Sequence, residues 1–178
     1  RKLLGCVASV FDPNGWISFI TTPAKLLIQQ SFRDQNKWDE PLSNLIMDRV
    51  EEWKNKTATL HNLHIPRRLN TFNCDDSALV QQLHTFCDAS EFILAAIAYL
   101  RTVSPDGRVE VRMIASRARL GPMKGLTIPR MELCGALLAT RLAVNIRREL
   151  GSVFSSIHYW TDSASTLGYI RNTTKRFV

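Results

Sequence analysis

FCDAS at residues 86–90, LTIPRMEL at 126–133 and WTDS at 160–163 decide how this chain is read, because each carries one acidic residue where a predicted element begins or ends. Asp88 closes a short strand candidate, Leu83–Asp88. Glu132 falls in the first turn of a long helix that Pro129 opens, that runs from about Met131 to Leu150 and that Gly151 closes. Asp162 ends another strand candidate, Ile157–Thr161. Between the first two stretches, Ala89-Ser90-Glu91 reads as a turn and Ile93–Val103 as a mostly apolar strand. Pro105-Asp106-Gly107 is a hairpin turn signal, and Val109, Val111 and Met113 alternate with polar residues as a third strand. Arg117–Thr127 reads as a basic loop, and Ser163–Arg171 as a short helix. The order is β-β-β-α-β-α, which places the second half among α/β folds.

That order gives the three carboxylates a possible chemistry. If the first and fourth strands are neighbours, both aspartates emerge at the same end of the sheet. A helix packed there with its N-terminus at that end brings Glu132 towards them. Clustered carboxylates on rigid elements can hold two magnesium ions roughly 3.5–4 Å apart, which activate a water and stabilise the leaving oxygen of a phosphodiester. Each residue also has a plainer role. Asp88 can start the Asp-Ala-Ser turn, Glu132 can complement the helix dipole, and Asp162 can cap the next helix in competition with Ser163. The case rests on all three together, in this order.

Arg117, Arg119 and Lys124, with Arg130 beside them, precede the glutamate helix and are candidates for phosphate contacts; scattered cations on a solvated loop are the alternative. Ser90 and Ser163 are candidates for contacts to sugar or phosphate oxygens, or fix local turns. Gly135 and Ala136 allow the helix a close approach to the sheet.

Further out, the first half reads as a small, mostly helical unit. Asp12-Pro13-Asn14-Gly15 is a turn signal, Pro23 can open a helix through Ala24–Phe32, and Asp39-Glu40-Pro41 can start another. In that second helix Leu42, Ile46, Val50 and Trp53 recur at helical spacing. A polar stretch around Asn70–Ser77 suggests a boundary near residues 70–80. Charge shifts at the same place: residues 1–82 hold 10 basic and 9 acidic residues, residues 83–178 hold 13 and 7. A basic second half suits a surface facing a polyanion. The composition, 45% hydrophobic over 178 residues, is that of a globular chain. The longest apolar run, Phe92–Leu100, is too short to span a membrane. Cys6, Cys74, Cys87 and Cys134 and the four histidines show no zinc-ligand spacing. The cysteines read as buried small hydrophobes in a reducing compartment. Starting at Arg1, the chain looks like a piece of something longer.

FCDAS, LTIPRMEL and WTDS in this order resemble the ribonuclease H-like domain of Pao/BEL-type LTR retrotransposon polymerases. VFDPNGW at 10–16, AKLLIQ at 24–29, WDEPL at 38–42 and HIPRR at 64–68 resemble the segment that these polyproteins carry between the reverse transcriptase palm and the nuclease. The resemblance implies a connection-like helical segment over residues 1–75 and, over 80–178, a ribonuclease H-like mixed sheet with flanking helices, incomplete at its C-terminus. It implies Asp88, Glu132 and Asp162 as ligands of Mg²⁺ or Mn²⁺ in a two-metal site that cuts the RNA strand of RNA–DNA hybrids. A further family aspartate is expected from a later helix that this chain does not reach. The implied partners are an RNA–DNA hybrid or other nucleic acid and the rest of the polyprotein, with no membrane, in the cytoplasm or in virus-like particles. The alternative is a catalytically incomplete nucleic-acid-binding or scaffolding module, including a captured retroelement relic. A sheet lacking one edge is also expected to make the fragment marginally soluble.

Overall fold

A computed structural model describes residues 1–34, 38–73, 75–151 and 153–174. The first half holds three helices, α1 (Lys2–Ala8), α2 (Ser18–Arg33) and α3 (Asn44–Ala58), the last running into a short 3₁₀ turn at Thr59–Asn62. Two helix starts differ from the sequence reading. The α2 helix begins before Pro23, which lies inside it. Asp12 explains this: its carboxylate accepts from the Trp16 and Ile17 N–H groups at 2.8 and 3.0 Å, which fixes the chain just ahead of Ser18. The α3 helix begins after Pro41, because Ser43 is the N-cap and its Oγ accepts from the Ile46 N–H. The apolar spacing of α3 is nevertheless used as expected. Ile46, Val50 and Trp53 are buried against Val7 of α1 and Ile20, Ala24 and Leu27 of α2. The Trp53 indole N–H donates to the Ile20 carbonyl at 2.9 Å.

The second half contains β1 (Val80–Ala89), β2 (Ile93–Val103), β3 (Val109–Leu120), α4 (Ile128–Leu150), β4 (Ser156–Trp160) and α5 (Ala164–Arg171). The expected β-β-β-α-β-α order is present, and the four strands form one mixed sheet in the order β3-β2-β1-β4. The strands β1, β2 and β3 pair antiparallel as two hairpins, and β4 joins β1 in parallel. Gly107, at φ +82°, takes the left-handed position in the Pro105–Gly107 turn. Leu94, Ala96, Ala98 and Leu100, every second residue of β2, are buried. The first three join Leu83 of β1 and Met131, Leu138, Leu142 and Ile146 of α4 in the main core, so α4 covers one face of the sheet.

The third strand departs from expectation in two respects. It runs on to Leu120, so Arg117 and Arg119 sit on a strand and not in a loop. Its first apolar residues, Val109 and Val111, are exposed. A bulge causes the change: Ala98 pairs with Ala115 but Tyr99 with Met113, which leaves Ile114 as the extra residue and shifts the alternation. The helical half docks on this irregularity. The Trp16 indole N–H donates to the Ile114 carbonyl at 2.8 Å, and the Ser116 N–H donates to the Asn14 carbonyl at 2.7 Å. Gly15, at φ +73°, lies so close that a Cβ there would come within 2.1 Å of the Ser116 carbonyl oxygen.

The cysteines are less buried than expected. Cys6 is exposed at the surface of a short helix, Cys87 and Cys134 are half-buried, and Cys74 lies outside the described residues. Among the described residues, no helix is long and apolar enough to cross a membrane.

Candidate metal centre

Two backbone features bring the acidic residues together. The parallel register of β1 and β4 sets Leu83 beside Ile157 and Phe86 beside Trp160, and Asp88 and Asp162 each follow two residues later. On the other side, α4 crosses β1 at Gly135. A Cβ on Gly135 would lie 3.4 Å from the Asp88 carbonyl oxygen and 3.8 Å from the Ala89 Cβ, so the helix backbone rests directly on the strand end. Glu132, three residues earlier, lies on the same side of the helix. One carboxylate oxygen from each of Asp88, Glu132 and Asp162 lies within 4.8 Å of the other two, with the aspartates exposed and the glutamate half-buried.

The structure weakens the competing local roles of Asp162 and Glu132 and keeps for Asp88 a contact in its turn. Ser163, not Asp162, caps α5, its Oγ accepting from the Thr166 N–H at 3.2 Å. Because α4 starts at Ile128, Glu132 is its fifth residue and lies beyond the first turn, where dipole complementation is strongest. Ser90 builds the turn after β1: its N–H donates to the Ile93 carbonyl at 2.7 Å, and its Oγ accepts from the Ile93 N–H at 3.1 Å. The Asp88 carboxylate makes one local contact, accepting from the Ala89 N–H at 2.6 Å. Among the described residues, no ion pair is made by any of the three.

Three unpaired carboxylates at this separation repel one another. Burial pushes the Glu132 carboxyl above its usual range, and the charges of Asp162 and Asp88 push it further the same way. The Cys87 thiol beside them is also pushed up, first by burial and then by the three carboxylates, against a lowering hydrogen bond from Thr161. An all-oxygen donor set with no ion-pair partner among the described residues suits a hard divalent cation.

The remaining predicted contacts do not all converge. Ser90 and Ser163 are engaged in the turn and the helix cap just described. Arg117 and Arg119 pair with Ala96 and Leu94. They flank Ala118, which faces Ala95, which in turn faces Asp88. That row places them about two strand spacings, roughly 10 Å, from the strand position of Asp88. Arg117 also lines a groove of about 710 Å³, together with Phe19, Phe86, Asp88, Trp160 and Asp162. Lys124 and Arg130 are exposed near the start of α4.

Reading the sequence missed an aromatic cluster beside the carboxylates. His84 and Phe86 precede Asp88 at intervals of two, and His158 and Trp160 precede Asp162 in the same way. The signal was a repeated His-x-aromatic-x-Asp pattern, HTFCD and HYWTD, which acquires meaning only once the two strands are known to be parallel and in register.

The family model described as a Pao retrotransposon-like RNaseH-like domain matches residues 1–163. No curated protein matches the chain. A solved structure, that of the foamy viral protease-reverse transcriptase dRH in complex with double-stranded DNA, is similar over 95% of this chain at 14% identity and a TM-score of 0.42. This chain spans 29% of the length of that one. With the match running from Arg1 through Ser163, the chain belongs to the Pao retrotransposon-like family of RNaseH-like domains.

Proposed function

We propose that Asp88, Glu132 and Asp162 hold divalent metal, Mg²⁺ or Mn²⁺, and that in the intact polymerase this domain hydrolyses the RNA strand of RNA–DNA hybrids. The observation that carries the reading is the convergence of three carboxylates within 4.8 Å with no cationic partner among the described residues. A pair of divalent ions in such a site supplies an activated water and charge stabilisation at the phosphodiester. The chain's own contribution is placement. The strand ends fix two ligands side by side, α4 fixes the third, and the tight crossing at Gly135 keeps the set together.

Arg117, Arg119 and Lys124 are the residues we assign to phosphate contacts. They recognise a duplex by its charge and backbone shape, while a choice of hybrid over DNA rests on 2′-hydroxyl contacts. Residues 1–75 serve, in this reading, as the connection that ties the domain to the rest of the polyprotein.

The test is cleavage of a labelled RNA–DNA hybrid with Mg²⁺ or Mn²⁺, beside an Asp88→Asn control. Metal-dependent cutting that the substitution abolishes supports the nuclease. Tight hybrid binding by a folded sample, without cutting under either metal, leaves a binding or scaffolding module or an incomplete enzyme, and a longer chain that still does not cut replaces the nuclease with the binding or scaffolding role.

A further inference from the structure

We propose that His84 and Trp160 form a cross-strand clamp that positions Asp162 beside Asp88. The proposal rests on the metal-site reading above and adds two positioning residues to it. Its basis is the way β4 is held. This strand has five residues and, among the described residues, pairs with β1. The regular register ends at Phe86 and Trp160, so Asp162 lies beyond the ladder. Something else must fix the end of the strand.

Trp160 is held from two directions. Its carbonyl accepts from the Cys87 Sγ at 3.4 Å, and its indole N–H donates to His84 Nδ1 at 3.1 Å. Around that bond the rings form one stack. His84 lies on His158 with centroids 4.6 Å apart and planes 16° apart, and Trp160 lies against Phe86 at 5.8 Å and 12°. Phe86 meets Tyr99 of β2 edge-on at 5.9 Å, which ties the stack to the middle of the sheet. Trp160 and Phe86 are nonetheless 48% and 41% exposed, so burial alone does not lock them. Directional contacts do that work.

The hydrogen bond also dictates a protonation state. An indole N–H only donates, so His84 Nδ1 must carry a lone pair, and the neutral ring places its proton on Nε2. His84 Nε2 is buried and has no hydrogen-bond partner among the described residues. Retaining an unsatisfied buried N–H is a cost that the site accepts in order to keep Nδ1 as an acceptor. Burial of the ring, and after it the neighbouring His158 and Arg101, hold the imidazole below its usual pKa and disfavour a second proton.

The experiment is Mn²⁺ binding by calorimetry on the full chain, for the wild type, His84→Leu, His84→Asn, Trp160→Phe and Asp88→Asn, with circular dichroism to establish folding. Losing one net hydrogen bond at the clamp weakens Mn²⁺ binding about five-fold in His84→Leu and in Trp160→Phe, the latter retaining a stacking ring. In His84→Asn the Oδ1 replaces Nδ1 at the same distance from the backbone, so near-wild-type affinity returns. The ¹⁵N spectrum of the wild type shows an unprotonated His84 Nδ1. Wild-type affinity in a folded His84→Leu overturns the clamp, and so does His84→Asn binding as weakly as His84→Leu. If Asp88→Asn loses binding in the same series, the metal site stands and only the clamp falls. If the wild type and Asp88→Asn both fail to bind Mn²⁺, the metal-site reading falls and the clamp falls with it.

Discussion

Replacing Gly135 by alanine and then by valine tests the contact on which the candidate centre depends. Alanine adds a Cβ that meets the Asp88 carbonyl oxygen at 3.4 Å, the carbonyl carbon at 3.7 Å and the Ala89 Cβ at 3.8 Å, all close to ordinary van der Waals contact. A glycine inside a helix costs about 1 kcal/mol relative to alanine, so Gly135→Ala is expected to stabilise the fold by about 0.5–1 kcal/mol. Valine adds two methyl groups beyond that Cβ, against strand backbone with no slack. Overpacking of this kind costs about 1–3 kcal/mol, which cancels the propensity gain and leaves a net loss. The β1 strand is paired on both sides and holds its place, so the helix gives way. Glu132, one turn away on the same side of α4, moves with it. Urea denaturation measures the stability, and Mn²⁺ titration measures the site. Alanine should gain stability and keep its metal affinity, while valine should lose both. A valine variant as stable as the alanine one, with undiminished Mn²⁺ affinity, would refute the close crossing of α4 over Asp88.

Two further outcomes follow from the same geometry. In metal-free buffer the native Glu132 holds its proton above the ordinary value of 4.5, so between that value and the raised native one the folded state binds more protons than the unfolded state. Stability is therefore greatest below that window and falls as pH rises through it; Glu132→Gln should flatten this part of the denaturation profile, and an unchanged slope would remove Glu132 from the cluster. Gly15→Ala should destabilise by more than about 2 kcal/mol, because it combines a left-handed backbone with a clash against the Ser116 carbonyl. A thermal melt unaffected by Gly15→Ala would show that the 12–16 turn does not dock on β3.

Local signals made much of the second half legible. The Pro105–Gly107 turn fixed a hairpin, Pro129 and Gly151 bracketed a helix, and Asp88, Glu132 and Asp162 fell at or near element ends. What could not be read depended on partners distant in the chain. The extension of β3 through Arg117 and Arg119 follows from pairing with β2, which overrides the weak strand preference of a stretch rich in arginine and alanine. The bulge at Ile114 answers to the Trp16 indole, 98 residues away. Pro23 misled because a proline in the first turn is the commoner case, whereas here the Asp12 carboxylate starts the helix earlier. The role of His84 stayed hidden because only the parallel register sets it beside His158 and Trp160.

That register has a consequence for how this centre can change over time. Shifting β4 by one residue against β1 turns every side chain to the opposite face, which replaces Asp162 with Thr161 beside Asp88. A shift of two residues would set Trp160 there instead. Neither is a small adjustment of the geometry, and no intermediate position exists for a hydrogen-bonded strand. Single-residue insertions or deletions between the start of β4 and Asp162 would therefore separate the two aspartates outright, while point substitutions away from the three carboxylates, the ring stack and the Gly135 crossing can accumulate with the carboxylate spacing preserved.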